Sequence, residues 1–301
     1  MLYYNPKTID ETAELLNSLD NKNIVILAGG TDVVPKFNSR PEKSGYFDKP
    51  AMDLDNCNIV YFGDAGLKYI EEKNGKIIIG AMTTMTEILE SSLVDKVPVI
   101  KEAVKSMAGL TIRNTATIGG NIMNASPAAD SVPPLIALGA QVVLYSVDGE
   151  RCLAIDEFFE NPGKTKAKGH EFLKEVRIPL KTGNASFIKF GRRKAESLSV
   201  VNGASYIEMD GNVCRNAIIA LGAVAPTPVR AKKAEAALIG KNLTAETIEA
   251  AAEIAIGEFD PIDDKRASGE YRKKLVKVLV KRTVTNACQQ SMKGEMKCLK
   301  Y

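Results

Sequence analysis

Two glycine pairs, each followed at once by small polar side chains, are the residues best suited to chemistry: Ala28-Gly29-Gly30-Thr31-Asp32 and Thr117-Ile118-Gly119-Gly120-Asn121. Backbone N–H groups can crowd around phosphate oxygens only where no Cβ intervenes, and Gly-Gly supplies both the room and the unusual φ. The hydroxyl and amide side chains beside them add donors. One such loop is equally well a plain turn after a strand. Two of them fit a dinucleotide, one loop for each side of a pyrophosphate. A Walker A loop would need GxxxxGK followed by Ser or Thr, and a Rossmann fingerprint would need GxGxxG between strand and helix. Neither string occurs, so a nucleotide would be held by another scaffold.

Other candidates for chemistry are few. The only histidine is His170, so a triad or a histidine general base would have to be built on it. Five cysteines, Cys57, Cys152, Cys214, Cys288 and Cys298, lie far apart, with nine residues between the closest two and no CxxC. Zinc and four-cysteine iron–sulfur sites need clustered soft ligands, so no metal site is expected and single buried thiols are the plain reading. Lys and Arg total 40 against 37 Asp and Glu, a formal +3 in a chain that is 26% charged. That balance offers no argument for nucleic acid or an anionic membrane surface. The longest nearly unbroken apolar run, 217–225, falls far short of the roughly 18 residues that a membrane-spanning helix needs. Met1-Leu2-Tyr3-Tyr4-Asn5-Pro6 lacks the basic and then apolar blocks of a secretory signal, which makes the cytoplasm the expected location.

At 301 residues and 45% hydrophobic content, the chain has material for about two domains. The short β-branched run 24–28 stops at Gly29-Gly30 and reads as a buried strand that delivers the first loop. Ahead of it, Thr8-Ile9-Asp10-Glu11 has capping-box spacing and opens a helix. Strands are expected at 52–54, 59–62, 67–72 and 76–79, the last two joined through Asn74-Gly75. Thr84-Met85-Thr86-Glu87 repeats the capping-box pattern, and the stripe Ile100, Ala103, Val104 and Met107 predicts a helix over 98–107. The stretch 111–131, which carries the second glycine pair, has little period and reads as a long structured loop. A helix at 132–138 and strands at 141–146, 152–155 and 172–178 follow, with 161–169 exposed. Residues 179–184 suit a domain boundary. Beyond it, strands at 186–190, 201–209 and 213–221 precede helices at 231–238, 245–256 and 268–288. The last helix has Tyr271, Leu275, Val278, Leu279 and Arg282 on one side.

Three segments in this order resemble the FAD-binding subunits of the molybdenum hydroxylases: Ala28 to Asp32, Ile112-Arg113-Asn114-Thr115-Ala116-Thr117-Ile118-Gly119-Gly120-Asn121-Ile122, and Ser126-Pro127-Ala128-Ala129-Asp130. These are the medium subunits of xanthine dehydrogenase, carbon monoxide dehydrogenase and nicotinate dehydrogenase-like enzymes. The likeness covers nearly the whole chain and includes Val176-Arg177-Ile178-Pro179, Lys189-Phe190-Gly191-Arg192-Arg193 and Glu270-Tyr271-Arg272-Lys273. It implies an α+β fold with a two-subdomain FAD-binding domain of the vanillyl-alcohol-oxidase (PCMH) type over 1–181. A smaller α+β C-terminal domain of the carbon monoxide dehydrogenase flavoprotein type would cover 182–290, with 291–301 as a tail. By the same resemblance, Ile26, Leu27, Ala28, Gly29, Gly30, Thr31, Asp32 and Val33 form the first pyrophosphate loop. Thr117, Ile118, Gly119, Gly120 and Asn121 form the second, and Asp130 bonds sugar or ribityl hydroxyls. Met107 or Ala108 meets the adenine end, Leu173 touches the cofactor, and Lys189 approaches the pyrimidine side of the isoalloxazine. Taken alone, Asp130 also reads as a helix N-cap, Arg113 as an exposed loop charge and Lys189 as a surface strand residue.

The function implied is electron transfer inside a hetero-oligomeric hydroxylase. FAD in this chain would take electrons from 2Fe–2S clusters in an iron–sulfur subunit and pass them to NAD+ or another acceptor. Molybdopterin would sit in a second partner, the molybdenum subunit, which also recognises the substrate. Two other readings stand beside it. A self-sufficient flavin oxidase or reductase would need its own proton-transfer residue, for which only His170 or scattered carboxylates are on offer. A non-redox binding or assembly protein would have no use for two phosphate cradles.

Overall fold

The computed structural model describes residues 1–19, 23–38 and 57–298, without the side chains of 291–298. Thr8 starts the first helix as its spacing implies, its hydroxyl accepting the Glu11 N–H at 3.1 Å. Glu11 closes the turn one residue earlier than a capping box would, on the N–H of Lys7. That helix, α1 (Ile9–Ser18), packs Ala13 and Leu16 against a parallel sheet of β1 (Leu2–Tyr4), β2 (Ile24–Leu27) and β3 (Asn58–Tyr61), ordered β1-β3-β2. A short helix, α2 (Val33–Asn38), follows β2. The strand expected at 52–54 lies outside the described residues.

The next unit opens with the hairpin of β4 (Ile70–Lys73) and β5 (Lys76–Gly80), whose turn uses positive φ at Asn74 and Gly75. The expected strand 67–72 is shortened. The carbonyls of Leu67 and Tyr69 are taken by Met82 and Gly80 outside the regular ladder, so the strand starts only at Ile70. Five helices come next: α3 (Met85–Glu90), α4 (Pro98–Ser106), α5 (Leu110–Arg113), α6 (Ile118–Met123) and α7 (Val132–Leu138). The full capping box at Thr84 starts α3. Segment 111–131 is therefore not one long loop but holds α5 and α6. Both are too short to show a helical period, and the glycine pair inside α6 hides its propensity. Strands β6 (Gln141–Ser146) and β7 (Gly149–Ala154), a small flap of β8 (Phe159–Asn161) with β9 (Lys164–Thr165), and β10 (Phe172–Pro179) complete the unit. Its antiparallel sheet is ordered β4-β5-β10-β6-β7. Phe62 and Phe172 meet edge to face at 5.2 Å between ring centroids, which packs the first sheet against this one.

The last part is a meander, β11 (Asn184–Gly191), β12 (Ser199–Asp210), β13 (Val213–Gly222) and β14 (Val229–Arg230), followed by α8 (Lys232–Leu238), α9 (Ala245–Ile256) and α10 (Gly269–Cys298). Strand β12 is buried along most of its length because both faces of this sheet are covered. Val201 and Ile207 pack among the C-terminal helices, where the Ser205 hydroxyl also meets that of Thr283. Ala204 and Tyr206 enter the main core beside Ile178, Ile136 and Val104 of the preceding unit. One core thus runs across the chain's midpoint. The stripe expected on α10 is rotated. The buried side chains are Arg272, Val276, Leu279, Val280, Thr283, Val284, Ala287 and Cys288, whereas Tyr271 is 52% exposed and Val278 is 37% exposed. Thr283 misled the reading, because its hydroxyl bonds both Ser205 and the Leu279 carbonyl and so is buried satisfied. No described helix is long and apolar enough to cross a membrane.

Gly203, the neighbour of Asn202 on β12, is the tightest point of the contact with α10. A Cβ there would lie 2.5 Å from Leu279 Cδ2, 2.8 Å from Leu221 Cδ2 and 2.9 Å from the Ala220 carbonyl. Gly203→Val is expected to cost about 1–3 kcal/mol of unfolding free energy, measured by urea denaturation. An unchanged midpoint would mean that α10 does not seat on β12 as described.

Candidate functional site

Strand β2 ends at Leu27, and the chain crosses residues 28–32 before α2 begins, with Gly30 at φ +71°. No regular element claims the amides of this crossing. Among the described residues, the N–H groups of Gly29, Gly30, Thr31 and Asp32 donate to no acceptor in the chain. Four adjacent unpartnered amides form an anion cradle. The loop is pressed against the second glycine segment. A Cβ on Gly29 would sit 1.8 Å from the Thr115 carbonyl oxygen, and one on Gly120 would reach Ala28 Cβ at 3.8 Å.

The second glycine segment is built differently. Thr117 caps α6, accepting the Gly120 N–H on its hydroxyl at 3.0 Å. Ile118 donates to the Thr83 carbonyl at 3.0 Å, Gly119 to Ala81 at 2.9 Å and Asn121 to Thr117 at 3.0 Å. Gly119 also has no space for a side chain, since a Cβ would lie 2.6 Å from that of Ala81. This segment supplies a wall free of Cβ atoms and the side chains of Thr117 and Asn121, while its helix amides are committed within the protein.

Between the two segments lies a cleft of about 390 Å³. Of the residues singled out in the sequence, Ile26, Ala28, Gly29, Gly30, Thr31, Asp32 and Val33 line one side. Thr117, Gly119, Gly120, Asn121 and Leu173 line the rest. Leu27 and Ile118 do not. Leu27 packs on Val25, Cys57 and Ile59 behind the loop, and Ile118 is a main-core residue at 1% exposure. Sequence reading missed Lys36, Met82, Met123, Asn124 and the rings of Phe62 and Phe172 in the lining. For Lys36 a signal existed, because it stands four residues after Asp32 and its ammonium is ion-paired with that carboxylate.

Asp130, Lys189 and Ala108 gather at a second place, where the two halves of the chain meet. Asp130 does not cap a helix; its carboxylate accepts from Lys189 Nζ at 2.6 Å, Ser199 Oγ at 2.5 Å and Asn202 Nδ2 at 2.6 Å. Both charged side chains are nearly enclosed, 8% exposed for Asp130 and 11% for Lys189, so Lys189 is no surface residue. Lys189 also donates to the Ser106 carbonyl at 3.1 Å. Two residues on, Ala108 stands at φ +39°, and the Arg113 guanidinium holds this turn by donating to the carbonyls of Met107 at 2.7 Å and Ala108 at 2.9 Å. Arg113 Nε is buried without a partner. The motif containing Asp130 is stitched to the C-terminal meander through the Ala223 N–H on the Pro127 carbonyl, 2.8 Å. The Ser131 hydroxyl bonds Asn121 Oδ1 at 2.6 Å and so links this junction to the cleft wall.

Residues 1–181 match the family described as the FAD binding domain in molybdopterin dehydrogenase, and residues 186–287 match the CO dehydrogenase flavoprotein C-terminal domain. The chain is 30% identical over 290 residues to the xanthine dehydrogenase FAD-binding subunit of Escherichia coli O157:H7, covering 95% of each. It is 31% identical over 287 residues to the carbon monoxide dehydrogenase medium chain of Hydrogenophaga pseudoflava, covering 95% of this chain and 96% of that one. A solved structure of carbon monoxide dehydrogenase from Hydrogenophaga pseudoflava, lacking the Mo-pyranopterin moiety of the molybdenum cofactor, superposes with a TM-score of 0.87 at 31% identity. That superposition covers 96% of this chain and 97% of the other. The α+β architecture expected from the resemblance is the one these proteins share. The chain belongs to the FAD-binding medium subunits of the molybdenum hydroxylases, the family of oxidoreductases that includes xanthine dehydrogenase and carbon monoxide dehydrogenase.

Proposed function

We propose that this chain is the electron-transfer subunit of a larger molybdenum hydroxylase, receiving electrons from iron–sulfur clusters in one partner and delivering them through FAD to NAD+ or another acceptor. The molybdenum cofactor and substrate oxidation belong to a second partner subunit. One observation carries the reading: the residues of four amides unpartnered among the described residues, Gly29 to Asp32, line a cleft whose other side includes a second glycine pair. That arrangement suits a pyrophosphate, while the scattered cysteines of the sequence suit no cluster of the chain's own. A cytoplasmic location belongs to the same proposal.

Within this proposal the FAD-binding part is 1–181, and 182–290 completes the site through Lys189. FAD, when bound, supplies the two-electron redox chemistry. The amides of Gly29, Gly30, Thr31 and Asp32 hold the pyrophosphate, and Gly119 and Gly120 let it approach the backbone. A carboxylate offers about four acceptor positions, and Asp130 uses three, leaving one for a sugar or ribityl hydroxyl. Leu173 would provide apolar contact from the sheet, and the turn at Ala108 would lie with Lys189 at the flavin end rather than at the adenine end, since Lys189 bonds the Ser106 carbonyl two residues before it. Lys189 would lie toward the pyrimidine side of the flavin, where its ammonium would favour the negative charge of the reduced form.

The first test is the absorbance spectrum of the purified chain, followed by acid release of the cofactor. Released FAD, flavin bands without an iron–sulfur shoulder, and NADH-dependent dye reduction by the single chain are expected. A colourless protein that also fails to take up added FAD would overturn the assignment of both glycine loops. Gly29→Ala drives a methyl into the Thr115 carbonyl and is expected to lose bound FAD on gel filtration, with the far-ultraviolet circular dichroism of the parent. Lys189→Met is expected to lower the flavin potential. An ammonium at about 4 Å and an effective dielectric near 20 contributes ~4 kcal/mol before desolvation. At about 30 mV per 1.4 kcal/mol, that sets a ceiling of roughly 90 mV, which the Asp130 carboxylate reduces. An unchanged potential in spectroelectrochemical titration would remove Lys189 from the flavin.

A further inference from the structure

The lining of the glycine cleft contains one anion and one cation among the described residues, Asp32 and Lys36, and they are paired with each other. The carboxylate is in an awkward place. It belongs to the same cleft-lining loop that carries the unpartnered amides, and an anionic ligand held by those amides would meet a second negative charge. Lys36 stands one helical turn further on, its side chain 28% exposed against 37% for Asp32, so neither side chain is enclosed and both line the cleft. An ammonium has three donors and no fixed plane, so it can keep one hydrogen on Asp32 and turn another into the cleft.

We propose that Lys36 is a cofactor-binding residue: its ammonium bridges the Asp32 carboxylate and the pyrophosphate, so Asp32 anchors the cation rather than bonding the cofactor itself. This rests on the reading of the cleft as the pyrophosphate site. It revises the role that the family resemblance implies for Asp32 and adds a residue outside both glycine segments. Amides supply direction and a partial positive field, while Lys36 supplies the one full charge in the lining. Removing Lys36 takes away that charge and also exposes the cleft to an uncompensated Asp32. The loss should therefore be partly recovered when Asp32 is neutralised as well.

The test is calorimetric titration of the FAD-free full chain with FAD and with ADP, each at low and raised salt, for the parent, Lys36→Gln, Lys36→Arg, Asp32→Asn and the double variant. Thermal melts of the unliganded proteins verify that each is folded. Lys36→Gln is expected to weaken FAD and ADP about tenfold at low salt, the scale of a partly exposed charge-assisted hydrogen bond, with the gap closing as salt rises. Lys36→Arg should stay near the parent, and the double variant should bind better than Lys36→Gln alone. Equal affinity of Lys36→Gln and the parent, or a loss for the double variant equal to the sum of the two single losses, overturns the role of Lys36. If the parent itself binds neither FAD nor ADP, the pyrophosphate reading fails first, which separates the two outcomes.

Discussion

No side chain fits between Gly29 and the carbonyl of Thr115, and the geometry of the cleft follows from that contact. Two stretches of backbone touch directly, so the floor of the cleft is peptide. Peptide can present N–H groups to an anion without the entropy of ordering long side chains. The asymmetry of the two loops follows from what each segment does next. After β2 the chain has left a sheet and not yet entered a helix, which leaves its amides open. At Thr117 the chain enters α6 at once, and capping and bridge bonds take up the amides.

A second constraint joins the halves. The Asp130 carboxylate collects a lysine from β11 and a serine and an asparagine from β12. Buried charges in a protein interior are tolerated when they are paired and hydrogen-bonded, and this one has an ammonium and two further donors. The same strand β12 sends alternate side chains into the main core and into the helical layer behind it. The second half is therefore not an appendage. Its sheet is one wall of the core that supports the cleft, and its lysine reaches the segment that carries Ser106 and Ala108.

Charge is distributed sparingly around this architecture. The formal net charge is only +3 over 301 residues, so long-range attraction of a phosphate-bearing cofactor by net charge is weak. In the proposed site recognition is local, through amide dipoles and through cations held at fixed points. Lys36 and Lys189 are the cations of that proposal, each restrained by a carboxylate, Asp32 and Asp130. Arg113 is spent differently, on two backbone carbonyls that keep the turn at Ala108 in its left-handed conformation.

Local patterns carried much of this in the sequence. The caps at Thr8 and Thr84, the hairpin at Asn74-Gly75 and the bounds of α9 could be read because each depends on residues a few positions apart. The glycine pairs could be read because a missing Cβ is a property of the residue itself. Helices α5 and α6 were hidden, since a single turn shows no period. The buried stripe of α10 was misjudged, since the satisfaction of Thr283 depends on Ser205 across the sheet. The same limit applies to the site. The family resemblance marked Asp130 and Lys189 as candidates, but only the approach of β11 to the segment after α6 makes them partners. The sequence by itself determined where the backbone could be bare and where it must turn. The tertiary structure decided which amides remain unpartnered and which charges face one another, because those depend on contacts between segments far apart in the chain.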